Sequence, residues 1–252
     1  AQYVFTRLLG PDVNLATSTL AAVSTGWANT DKNGDYFQFD QNNGFFLTDL
    51  SNYVNNSGTD YVLYNFTRAP GFADVVTYTG TGSTLTVNHN LGVKPELIIT
   101  RNSSSGSNQW GIDLVDADEL GFFLSSAFGA GALWTTTTST SLTTPYGGGM
   151  VNSAGDIYVL YLFASFAGIS KIGTYSGTGS DVDVNCGFSS GARFILIKRK
   201  DSTGDWYVYD TSRGIVGGND PYLLLNTDAA EVTNTDYIDP LASGFTVTSS
   251  AP

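Results

Sequence analysis

The side chains able to carry chemistry are few and dispersed. His89 is the only histidine and Cys186 the only cysteine, so any imidazole base or ligand must be His89 and any thiol nucleophile Cys186. Asp113, Asp116, Asp118 and Glu119 gather four carboxylates within seven positions. Carboxylate oxygens are what calcium takes, and two acids facing each other across a sugar would make a glycosidase pair. Asp31-Lys32-Asn33-Gly34-Asp35 opens like a calcium loop, but its Gly comes two positions early and Asn42 stands where the bidentate Glu belongs. Turn chemistry therefore reads it as an Asx-rich hairpin turn. Calcium is the one cofactor the acidic loops could take, and no catalytic, cofactor-binding or metal-ligating residue is assigned.

Among the aromatic residues, Trp134, which leads into the loop-like tract Thr135 to Thr138, and Tyr146 are the candidates for stacking on a pyranose ring, although burial in the core is the commoner fate of a tryptophan such as Trp134. Trp27, Trp110 and Trp206 complete the tryptophans. Arg193, Lys198, Arg199 and Lys200 form the densest basic group and flank the apolar run Phe194 to Ile197. They read as a solvated strand edge or as an inter-subunit contact to an acidic neighbour. Gly80-Thr81-Gly82-Ser83 lacks the lysine and the following helix of a phosphate loop, which leaves a turn.

What must position these groups is a chain of 252 residues with 23 acidic and 11 basic side chains and a net charge of −12. That balance offers no patch for a run of phosphates, which argues against nucleic acid as a partner. Only Glu96, Glu119 and Glu231 are glutamates. The other acids are Asp, a turn and cap former. One cysteine excludes an intrachain disulfide. The apolar stretch Ile157 to Ser170 is too short for a spanning helix, so no membrane insertion is expected. The chain begins with Ala1 rather than Met, and reads as processed, excised or partial.

The sequence repeats itself. Val54 to Ser83 and Val151 to Ser180 are identical at 15 of 30 positions without a gap, an offset of 97. Tyr61-Val62-Leu63-Tyr64-Asn65-Phe66 returns as Tyr158-Val159-Leu160-Tyr161-Leu162-Phe163, and Tyr78 to Ser83 as Tyr175 to Ser180. Trp110 falls on Trp206 after a one-residue deletion, and His89 falls on Cys186, so the copies retain no shared histidine or thiol chemistry. Cutting near Gly71 and Gly168 gives a partial unit at 1–68, a complete one at 69–166, and one at 167–252 that lacks a copy of Tyr158 to Phe163. The expectation is that residues beyond Pro252, or a strand added by a neighbouring subunit, complete the last unit.

Each copy reads as strands. Leu85 and Val87 alternate with Thr84, Thr86 and Asn88, as Val182 and Val184 do with Asp181, Asp183 and Asn185. Arg193 to Lys198 and Trp206 to Asp210 flank the turn Asp201 to Gly204. Further strands are expected at Tyr36 to Phe39, Gly44 to Thr48, Gly121 to Leu124, Tyr222 to Leu225 and Gly244 to Thr248, with one short helix at Leu15 to Val23. The fold class is all-β: tandem antiparallel β-sandwich units, jelly-roll-like, on a repeat of about 97 residues.

Gly71-Phe72-Ala73-Asp74-Val75-Val76-Thr77-Tyr78-Thr79-Gly80-Thr81-Gly82-Ser83, followed by Val87-Asn88-His89-Asn90-Leu91-Gly92-Val93-Lys94-Pro95-Glu96-Leu97-Ile98-Ile99, resembles a repeat of tailed-bacteriophage structural proteins, notably tail-fibre and appendage proteins of marine and cyanobacterial phages. Phe194 to Arg199 and Gly204 to Val208 carry similar wording, whereas Cys186-Gly187-Phe188 departs from the His-Asn-Leu-Gly form. The resemblance implies a non-enzymatic structural module at the virion surface, in a tail fibre, another appendage or a capsid decoration. Its partners would be other virion proteins and copies of itself. The alternative is a carbohydrate-binding module that contacts a host surface glycan through Trp134 and Tyr146.

Overall fold

The β-branched and aromatic runs separated by Gly, Asn and Asp become strands, and no segment sustains the 3.6-residue periodicity of a long helix. The computed structural model describes residues 3–9, 14–17, 37–41, 44–47, 54–104, 110–122 and 125–252. Among these, the only helical element is a 3-10 turn at Val115–Ala117, closed by Asp118 in the left-handed conformation at φ 50°. Two hairpin-like pairs come first: β1 (Tyr3–Phe5) with β2 (Asn14–Ala16), and β3 (Phe37–Gln41) with β4 (Gly44–Leu47). Leu15 and Ala16 thus lie in a strand, not in the short helix expected from Leu15. The rest of that segment, and the Asp31 to Asp35 turn with Asn42 and Trp27, lie outside the described residues.

A sandwich follows. Its strands are β5 (Ala73–Thr79), β6 (Leu85–Asn88), β7 (Leu97–Asn102), β8 (Gly111–Leu114), β9 (Glu119–Phe122), β10 (Gly129–Ala130), β11 (Thr136–Thr137), β12 (Ser141–Thr144) and β13 (Ile157–Phe163). They form a six-stranded sheet in the order β10-β9-β8-β7-β13-β5 and a three-stranded sheet in the order β11-β12-β6, antiparallel throughout. β13 is central: Tyr158 lies opposite Asn102 of β7 and Tyr78 of β5, and Phe163 opposite Leu97 and Ala73. Leu160 and Leu162 point into a core with Val87, Leu91, Ile98, Trp134 and Leu142 between the two sheets.

The other face of the large sheet is covered as well. Val159, Ile99, Ile112 and Trp110 pack with Leu15 of the first pair and with Trp206, against which Val4, Tyr161, Phe163 and Leu196 lie. Such a sheet has no solvent side, so β13 reads as a continuous apolar run rather than an alternation. Each fully buried Leu, Val or Ile contributes about 1.5–3 kcal/mol relative to its exposed state.

The last strands are β14 (Val182–Asn185), β15 (Phe194–Lys198), β16 (Trp206–Asp210), β17 (Leu223–Leu224), β18 (Ile238–Leu241) and β19 (Gly244–Val247). They make two three-stranded sheets, β15-β16-β17 and β14-β19-β18, around Ile195, Tyr209, Ile215, Ile238 and Phe245. Local features recur at the 97-residue spacing. An isolated bridge joins Ala69 to Ala73 and another Phe166 to Ser170. Gly58 and Gly155, Gly71 and Gly168, and Gly82 and Gly179 all hold positive φ, open to glycine at little cost. Two segments break the correspondence. Tyr61 to Phe66, the copy of β13, and Lys171 to Ser176, the copy of most of β5, lie outside every ladder.

Candidate functional site

Asp113 lies on the face of β8 opposite Ile112 and is completely buried. Its Oδ1 accepts the Leu133 amide at 2.7 Å, while Oδ2 has no hydrogen-bond partner among the described residues. Burial pushes its pKa up to about 7; the Leu133 amide opposes the shift and Asp118 adds to it. The neighbouring acids go elsewhere. Asp116 receives Lys94 Nζ at 3.1 Å, and Glu119 receives Lys200 Nζ at 2.8 and 3.1 Å. The acidic group of the sequence thus separates onto different partners, and among the described residues no three His, Cys, Asp or Glu side chains come together to hold a metal.

His89 and Cys186 end corresponding strands in separate sandwiches. The imidazole is buried just past β6, where Nδ1 accepts the Leu91 amide at 3.2 Å, and burial lowers its pKa. Asp74 nearby is spent on Arg68 and on the amides of Val75 and Asn90. The half-buried Cys186 thiol faces the Val184 carbonyl at 3.7 Å, and burial raises its pKa, which disfavours the reactive thiolate.

The two glycan candidates part company. Trp134 is 2% exposed, donates through Nε1 to Thr100 Oγ1 at 3.0 Å and meets Tyr78 edge-on at 5.7 Å. Of the two readings of Trp134, core residue or exposed platform, the structure shows the first: the ring fills the first core, and its one polar atom finds a partner there. Tyr146 keeps half of its surface exposed, with its carbonyl held by the Asn152 amide at 3.0 Å.

The basic group also has partners at home. Lys198 Nζ donates to the Gly204 and Ser125 carbonyls at 2.7 and 3.2 Å, Lys200 reaches Glu119, and Arg199 pairs with Asp201 at 2.8 Å. Arg193 is exposed. Lys198 and Lys200 thus join the last sandwich to the 119–125 stretch of the first, an attachment within the chain. Trp110 and Trp206 act in the same direction. Trp110 Nε1 donates to the Ala16 carbonyl of β2 and Trp206 Nε1 to the Phe122 carbonyl of β9, each at 3.1 Å.

An aromatic patch that composition and motif reading passed over lies where these parts meet. Phe66 contacts Phe72, Phe163 and Phe194 at ring separations of 6.5, 6.1 and 5.6 Å, and Tyr64 meets Phe194 at 5.0 Å. The Tyr64 hydroxyl donates to Asp210 Oδ2 at 2.7 Å and accepts from Arg213 Nη2 at 3.0 Å. Arg213 Nε also binds Asp210 Oδ2 at 2.6 Å. Burial opposes ionisation of Asp210, but hydrogen bonds from Tyr64 and Arg213 outweigh it and hold its pKa below the usual value. Half of the Phe66 surface, 58% of Leu63 and 38% of Phe194 remain exposed. The signal in the sequence was the repeat register itself, which sets Phe66 opposite Phe194.

This surface can bind and join; it brings no nucleophile to a base. No helix is long and apolar enough to cross a membrane among the described residues. Comparison with curated proteins and with solved structures gave no match. A family profile described as a domain of unknown function, DUF7483, matches residues 67–252, which take in both sandwiches. With nearly three quarters of its length matched, the chain belongs to the DUF7483 family.

Proposed function

We propose that the chain is a non-enzymatic structural protein of a phage virion, part of a tail fibre, another appendage or a capsid-surface decoration, working through contacts with other virion proteins and copies of itself. The observation that carries this reading is what the two copies share. Strand, turn and joining residues recur, Trp110 with Trp206 among them, whereas Asp74, His89 and Asp113 stand opposite Lys171, Cys186 and Tyr209. A catalytic site that mattered in both would keep its acids and bases; a scaffold need keep only its packing. The resemblance of Gly71 to Ile99 to phage structural repeats adds the virion setting. The carbohydrate-binding alternative loses its main stacking surface with Trp134 in the core.

Mass spectrometry of purified particles from the encoding phage tests the reading. Peptides of this chain should appear at a fixed copy number per particle, and immunogold should label an appendage or the capsid surface. Purified particles that carry no peptide of this chain would end the proposal.

A further inference from the structure

Among the described residues the β15-β16-β17 sheet, the third sheet of the two sandwiches, has an open side. β15 pairs with β16 alone, whereas its counterpart β7 is flanked by β8 and β13. No backbone–backbone hydrogen bond among the described residues reaches Asp60 to Phe66 or Gly173 to Ser176, and Tyr61, Val62, Leu63, Phe66 and Tyr175 are all exposed. These are the copies of β13 and of β5, the two strands the third sheet lacks.

We propose that Asp60 to Phe66 is the missing strand of the third sheet: within the same chain it inserts between β15 and Ser170 to Ser176, as β13 inserts between β7 and β5. The register supports it. Phe163 lies opposite Leu97, so the same offset sets Phe66 opposite Phe194, and those rings are already 5.6 Å apart. Tyr64 would stand opposite Leu196, on the face it shares with Phe194, whose ring it meets at 5.0 Å. Its hydroxyl reaches Asp210, the β16 residue paired with Phe194. The segment therefore touches the correct edge, on the correct face, through contacts made inside one chain.

The groups that hold β13 are also duplicated. Tyr158 stacks on Tyr78 at 5.1 Å and 12°, and their copies are Tyr61 and Tyr175, both exposed. Gly80 N–H donates to the Asp156 carbonyl, and Gly155 N–H to the Gly80 carbonyl; the copies are Gly177, Thr59 and Gly58. A Cβ on Gly80 would collide with the Ser153 carbonyl, whereas Gly177 has open space around it, the volume the docked turn at Asn56 would take. Leu162 lies opposite Asp74 in the second unit, and both change together: the copies are Asn65 and Lys171, which can hydrogen-bond across the strands. Docking would pair two unpaired stretches and an open edge at once, the gain that drives strand addition.

Hydrogen exchange on the unmodified 252-residue chain at a concentration where it is monomeric is the first test. The amides of Tyr61 to Phe66 and Ile172 to Ser176 should exchange at least 100-fold slower than free coil. The second test is crosslinking in a Cys186→Ser background. Leu63→Cys with Ile197→Cys, an in-register pair whose Cβ atoms would lie about 5 Å apart, should oxidise to an intramolecular disulfide. Leu63→Cys with Leu196→Cys, one residue out of register, should give at least tenfold less. Coil-like exchange at Tyr61 to Phe66 overturns the proposal, because another strand or none then occupies the edge. A disulfide found only between chains overturns it in favour of exchange between copies. Equal crosslinking of the two pairs overturns the register.

Discussion

The indole Nε1 of Trp206 donates to the carbonyl oxygen of Phe122 at 3.1 Å, so a residue of the last sandwich completes the hydrogen bonding of a strand in the one before it. Trp110 does the same to Ala16. Trp206→Phe should keep most of the packing but remove the donor to a carbonyl at the junction, a cost of about 1–3 kcal/mol. Trp206→Ala should cost about 3–5 kcal/mol. Urea unfolding followed by circular dichroism gives both values, and a Trp206→Phe variant as stable as the parent would mean the hydrogen bond contributes nothing.

Asp113 makes stability depend on pH. Its ordinary value of 3.8 rises to about 7 in the fold. Below pH 4 both states hold the proton and the effect vanishes. Between about pH 4 and 7 the unfolded chain releases it while the fold retains it, so this group's contribution to stability falls as pH rises, by on the order of 2–4 kcal/mol in total. Above pH 7 the fall levels off. His89, with its pKa lowered by burial, acts in the opposite sense over part of this range. The quantity to measure is therefore the difference between Asp113→Asn and the parent chain, which should be near zero at pH 4 and favour the variant at pH 8. A constant difference across that range would remove the assignment.

Asn152 is fully buried and holds a turn from within. Its Oδ1 accepts the Thr81 amide at 2.7 Å, and its Nδ2 donates to the carbonyls of Ser83 and Tyr146. Asn152→Ala strands these backbone groups and should cost about 2–4 kcal/mol. It should also accelerate exchange of the Thr81 amide before the rest of the sheet opens. Unchanged exchange at Thr81 would show that backbone contacts alone fix the turn.

Arg213 and Asp210 are 7% and 5% exposed at their side chains, and Tyr64 closes the pair. Arg213→Ala leaves a buried carboxylate without its cation, a loss of about 3–5 kcal/mol. Tyr64→Phe should cost less, about 0.5–1.5 kcal/mol, since the ion pair survives. Denaturant midpoints of the two variants should fall in that order.

Strand positions were legible wherever one face is wet. Leu85 to Asn88 and Val182 to Asn185 alternate and form β6 and β14 as read, and the hairpin around Asp201 to Gly204 formed with both arms in place. Legibility ended where tertiary contacts decide. Trp134 sits beside a threonine tract that looks like a loop, and nothing local shows that Thr100, thirty-four residues earlier, waits for its indole N–H. Leu15 has helix-compatible neighbours, but pairing with Val4 and burial in the shared core make it a strand. The four residues of β8 are too short an alternation to show from sequence that Asp113 takes a buried face. Sequence likewise placed Lys200 in a group of cations without indicating that Glu119 would meet it.

The large sheet, sealed on both faces, also governs how the molecule fails. A string of independent sandwiches would yield one bead at a time, each giving its own melting step. Here Val159 and Ile99 belong to the same packed layer as Trp206 and Leu15, so the last sandwich cannot peel away without wetting the back of the one before it. Strain at that junction is shared by both sandwiches, and the two should give way together in one event.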